Sequence, residues 1–77
     1  MTQYINKAYE FQAKVQDALP NLDAAVFGEY GGSRYGWQFF VEYVAGNEPP
    51  ESDQKIIRKI ANEVQNGVAC YIMEVRE

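Results

Sequence analysis

The chain has 77 residues, with seven Lys and Arg against eleven Asp and Glu, no histidine and one cysteine. That length bounds it to one domain, residues 1–77, in which roughly 60% of the unfolded-state surface is buried. The single Cys70 excludes an intrachain disulfide. A net charge of −4 weighs against non-specific binding to nucleic acid or an anionic membrane.

From the N-terminus, Tyr4, Ala8, Phe11, Val15, Ala18 and Leu19 recur at three- and four-residue steps. This predicts an amphipathic helix with Thr2 as N-cap and Pro20 as terminator. Ile5 and Tyr9 widen its apolar stripe, Tyr9 at the margin toward solvent.

Two strands follow, Leu22–Gly31 and Arg34–Ala45, and a type II′ turn at Gly32-Ser33 is expected between them. If Gly31 pairs with Arg34, Val26 faces Phe39, Gly28 faces Trp37 and Tyr30 faces Tyr35. A four-residue loop from Gly31 to Arg34 gives the same pairing. Because side chains alternate, Val26, Trp37, Phe39 and Val41 share one face. Asp23, Phe27, Glu29, Gln38, Phe40, Glu42 and Val44 share the other. Trp37 is expected under the helices, opposite the space left by Gly28.

Gly46-Asn47-Glu48-Pro49-Pro50-Glu51 is a loop. Ser52 is the expected N-cap of a second helix, with Asp53 in its first turn and Ile56, Ile57, Ile60, Ala61 and Val64 as its buried stripe. Asn66-Gly67 stops that helix, and Val68–Val75 reads as a third strand.

The resulting class is α+β, in the order α-β-β-α-β, with two helices on one face of a three-stranded, mainly antiparallel sheet. A split βαβ arrangement with strand order 2-1-3 is expected. Direct pairing of strand three with strand two is the runner-up. Either way the back of the sheet is uncovered, carrying Phe27 and Phe40 plus one alternating set from strand three: Tyr71 and Met73, or Cys70 and Ile72.

Chemistry-bearing motifs are sparse. With no histidine the commonest general base and metal ligand is missing, so no catalytic, metal or cofactor site is assigned. Cys70 reads as core. The glycines at 28, 31 and 32 are not a phosphate loop, since they sit at a hairpin tip and neither a P-loop lysine nor a helix start is expected to follow. The run from Arg34 to Tyr43 loosely resembles the aromatic central strand of an RNA-recognition motif, over that strand only. Its spacing of basic residue and glycine departs from that motif, and alternation buries Trp37 and Phe39.

These features point to a small non-enzymatic protein-binding module. Its expected contact residues are Phe27, Glu29, Gln38, Phe40 and Glu42, and its expected partner is a larger protein. Small acidic chains without histidine are often accessory or inhibitory proteins of phages and other mobile elements. One alternative is an acidic nucleic-acid mimic using Asp17, Asp23, Glu29, Glu42, Glu48, Glu51 and Asp53. Another is nucleic-acid binding through Lys55, Arg58 and Lys59 on helix two. A homodimer is expected to supplement so small a core. Without a bilayer-spanning stretch or signal-like N-terminus, the expected location is cytoplasmic.

Overall fold

The computed structural model describes residues 2–75, with side chains described from Lys7 onward. The element order is α1 (Thr2–Ala18), β1 (Ala25–Tyr30), α2 (Gly32–Tyr35), β2 (Trp37–Tyr43), α3 (Glu51–Val64) and β3 (Ala69–Glu74). Thr2 is itself the first helical residue. The position before it, and the side chains of Tyr4 and Ile5, lie outside the described residues.

The α+β class holds, but the sheet order is β1-β2-β3, not 2-1-3. β1 and β2 are antiparallel, whereas β2 and β3 are parallel, so the sheet is mixed rather than mainly antiparallel. Residue content explains the central place of β2. Phe39 and Val41 are fully buried there, and the strand is rich in the bulky residues that fill a pleated surface. β1 carries Gly28 and Ala25, and a glycine inside a strand leaves less to pack. β2 therefore gains more from a neighbour on each side.

α1 and α3 cover the same face of the sheet. Phe11 and Val15 from α1, and Ile57, Ile60, Ala61 and Val64 from α3, close a core with Val26, Phe39 and Val41. Ile56 departs from its expected stripe and is 39% exposed. α3 begins one residue before Ser52, with Pro50 in the cap position and no side-chain capping bond. Gln54 instead bonds this end twice, through its backbone N–H to the Pro50 carbonyl (3.0 Å) and its side-chain amide to the Pro49 carbonyl (2.8 Å). At the other end Gly67 takes a positive φ of 76°, and its N–H reaches the Asn62 side-chain oxygen at 2.8 Å. The stop at Asn66-Gly67 is as expected.

The hairpin differs in its turn. Gly32–Tyr35 forms one helical turn, closed by Gly31 N–H to the Gly36 carbonyl and by Gly36 N–H to the Gly32 carbonyl, each 2.7 Å. Gly36 adopts φ 65° and ψ −151°, a conformation essentially restricted to glycine. The connection is thus longer than the two-residue turn at Gly32-Ser33, and the pairing moves by two positions. Val26 opposes Val41, Gly28 opposes Phe39 and Tyr30 opposes Trp37. An even shift preserves parity, so each side chain stays on its expected face.

The residue seated against Gly28 is consequently Phe39, not Trp37. A Cβ on Gly28 would lie 2.9 Å from the Phe39 ring and 3.3 Å from Ala8 Cα. Phe11 stacks on the same ring at 4.3 Å between centroids. Trp37 is half-buried at the rim. Phe39→Ala is therefore expected to cost about 3–5 kcal/mol, and Trp37→Ala distinctly less. Urea unfolding of the two variants checks this; a larger loss for Trp37→Ala would contradict the packing described.

Candidate functional site

Three rows of side chains cross the back of the sheet. The pairing places Phe27, Phe40 and Tyr71 in one line across β1, β2 and β3. One flanking row is Glu29, Gln38 and Ala69, and the other is Ala25, Glu42 and Met73. A central aromatic row is therefore bordered by one carboxylate on each side. All five residues expected at the contact surface, Phe27, Glu29, Gln38, Phe40 and Glu42, share this face.

The rings form a ladder. Phe27 and Phe40 stack with centroids 5.1 Å apart and planes at 16°, and Phe40 and Tyr71 stack at 5.4 Å and 25°. These separations are close to the spacing of neighbouring strands, so the rings stand side by side on the sheet. The central Phe40 ring has a stacked neighbour on each side. Phe27 and Phe40 are half-buried, whereas Tyr71 and Met73 each keep 42% of their surface exposed. Val44 and Val75 extend the apolar area beyond Glu42, in a shallow depression shared with Asp23, Ala24 and Ala25.

Tyr71 and Met73 were ambiguous in the sequence because the orientation of strand three was open. The parallel register decides it: Cys70 and Ile72 lie beside Phe39 and Val41 on the covered face, and Tyr71 lies beside Phe40 on the back. Tyr71 could have been found from sequence only by pairing strand three with strand two, the arrangement ranked second there.

The other candidate groups are dispersed. Lys55, Arg58 and Lys59 are exposed on α3, but the Arg58 guanidinium donates to the Cys70 carbonyl at 2.7 Å. It thereby ties α3 to β3. Lys7 donates to the Val64 carbonyl at the end of α3 (3.2 Å), where a cation suits the helix dipole. The acidic residues occupy several surfaces. Glu29 and Glu42 are on the sheet back, Glu51 and Asp53 in the first turn of α3, and Asp23 accepts from the Asn47 side chain at 2.8 Å between two loops. Among the described residues no group of three or more His, Cys, Asp or Glu is placed to hold a metal ion. No helix among them is long and apolar enough to cross a membrane.

No protein-family model matches the chain, and the searches of curated proteins and of solved structures found no match.

Cys70 is half-buried against the core. Burial pushes its thiol pKa up, and the nearby Arg58 charge offsets this only in part. The thiolate, which is the reactive form, is thereby suppressed. Because the folded pKa lies above the unfolded one, the stability this group contributes is complete below the unfolded pKa and is lost as pH rises through the folded value. Reaction with a chromogenic disulfide at neutral pH is expected to run about tenfold or more slower in the folded chain than in denaturant. Equal rates would show an accessible, activated thiol.

Proposed function

We propose that this chain is a non-enzymatic protein-binding module that docks on a larger protein through the back of its sheet, in an accessory or inhibitory role. The observation that carries this reading is the Phe27–Phe40–Tyr71 row, placed between two rows that each hold a carboxylate. Large aromatic side chains at the centre of a patch carry most of the affinity of an interface, and rim charges act mainly on specificity and association rate. The matching surface on the partner is apolar at its centre and basic at its edge, opposite Glu29 and Glu42.

Ring orientation favours this over nucleic-acid binding. Single-stranded bases bind by stacking on exposed ring faces, yet in this ladder the faces of Phe40 are already covered. The acidic border and the net charge of −4 oppose a phosphate backbone as well. The basic residues of α3 are an unconvincing substitute, because Arg58 is engaged by β3. A nucleic-acid mimic requires a dense array of carboxylates on one surface, whereas Glu29 and Glu42 flank an aromatic row and Glu51 and Asp53 lie in the first turn of α3.

The test is affinity capture of the partner from source cells, followed by calorimetric titration with purified variants. Phe40→Ala and Tyr71→Ala are each expected to weaken binding by about 2 kcal/mol or more while circular dichroism stays native. Glu42→Lys is expected to slow association and alter its salt dependence. Lys55→Glu with Lys59→Glu should leave affinity within a few tenths of a kcal/mol, roughly the scale of surface changes. Loss of binding in that double variant, with both ring variants unaffected, would move the site to α3.

A further inference from the structure

The outer edge of β1 belongs to a surface distinct from the sheet back. Gly31 donates to Gly36 in the hairpin register, and bonded pairs alternate along an antiparallel ladder. Ala25, Phe27 and Glu29 therefore direct their N–H and C=O groups toward β2. Val26 and Gly28 direct theirs away from the sheet, and among the described residues no hydrogen bond reaches them. β1 also has neither the lysine nor the proline with which edge strands are commonly blocked. The outer edge of β3 differs, because its Cys70 carbonyl already accepts from Arg58.

α1 lies over this edge strand. Its backbone approaches β1 and α3 far more than β2, and Ala8 Cα stands 3.3 Å from the point that a Cβ on Gly28 would occupy. Between helix and strand runs a groove of about 390 Å³, with Ala8, Tyr9 and Gln12 on one side and Val26, Gly28 and Tyr30 on the other. None of these residues is charged. One wall is thus the flank of a helix, and the other is a strand whose outward backbone groups are unpaired at Val26 and Gly28.

We propose that this groove receives an extended segment of another protein, which adds to β1 as a fourth, antiparallel strand along the flank of α1. Val26 and Gly28 present a donor and an acceptor at a two-residue interval, and an extended backbone is the ligand that repeats at that interval. Antiparallel addition is slightly the more stable pairing. It lets one residue of the segment exchange both bonds with Val26, and the next but one do so with Gly28. Directly paired residues share a face of the sheet. Those two side chains therefore point to the helix side and enter the groove, while the residue between them points to the back, beside Phe27.

The occupant is a segment with no helix of its own on that side. Paired strands stand ~4.8 Å apart, whereas packed helices need roughly 8–10 Å between axes. A second copy joined through β1 would drive its α1 into the first, and a lone strand meets no such obstacle. Charge defines the segment further. The groove lining is uncharged, so the side chains that enter it are apolar. The chain carries a net charge of −4, which disfavours carboxylates in the segment. Neither this site nor the contact at the sheet back requires the other.

Linear peptides selected from a random phage-displayed library against the full chain test the proposal. The expected binders carry apolar residues at alternate positions and no Asp or Glu, and slow exchange of the Val26 and Gly28 amides by about tenfold or more. Methylating each backbone nitrogen of one such peptide in turn should reveal a period of two. Affinity should fall by about tenfold or more at the residues facing Val26 and Gly28, and change little at the residue between them. Tyr9→Glu, at an exposed helical position, should weaken binding to a similar degree with the circular dichroism unaltered, and Tyr71→Ala should leave it unchanged. Failure to select any binder would overturn the proposal. So would peptides that leave the Val26 and Gly28 amides unprotected, that tolerate methylation at every nitrogen, or that are released by Tyr71→Ala. Because Tyr71→Ala is expected to weaken the sheet-back contact, that one variant tells the two surfaces apart.

Discussion

Phe39 lies in the space that Gly28 leaves open, and Phe11 closes over it from α1. A Cβ at position 28 would come within 2.9 Å of the Phe39 ring and 3.3 Å of the Ala8 backbone, so strand, ring and helix meet at one point. The missing side chain lets α1 approach β1 and lets a full aromatic ring sink between them. With α3 supplying Ile57, Ile60, Ala61 and Val64 to the same core, the helical layer is committed to one side of the sheet. The bare reverse side follows directly, because a chain of this length fills two layers and no more.

That reverse side is where sequence chemistry and architecture converge. An uncovered sheet face is ordinarily polar at alternate positions, yet here three strands each place an aromatic residue in the same row. The stacked rings support one another across the strands, with Phe40 held between two neighbours. Such a surface is suited to a shaped protein contact, with Glu29 and Glu42 as its charged margin.

Much of this arrangement was legible in the residues, and the reasons for the remainder are physical. Alternation placed Val26, Phe39 and Val41 opposite Phe27 and Phe40 in sidedness, and that survived a mistaken turn because the error in register was even. The turn itself misled because Gly32-Ser33 carries a strong two-residue signal. Gly36, whose φ of 65° and ψ of −151° end the longer connection, read instead as an ordinary strand residue. Strand order was harder, since hydrophobic alternation says which face a strand buries and nothing about its neighbour. The preference for β2 at the centre emerges only when the weak packing of Gly28 and Ala25 is set against the full burial of Phe39 and Val41. Tyr71 joined the site by that same step.

The central claim is that the ladder face, and not the helical face, meets the partner. Site-specific photo-cross-linking in source cells tests it most directly, with benzoylphenylalanine at Tyr71 on the ladder or at Lys59 on α3. The expected result is a covalent partner adduct from position 71 that is depleted when Phe40→Ala is added, and none from position 59. Adducts from position 59 alone, indifferent to Phe40→Ala, would contradict the account.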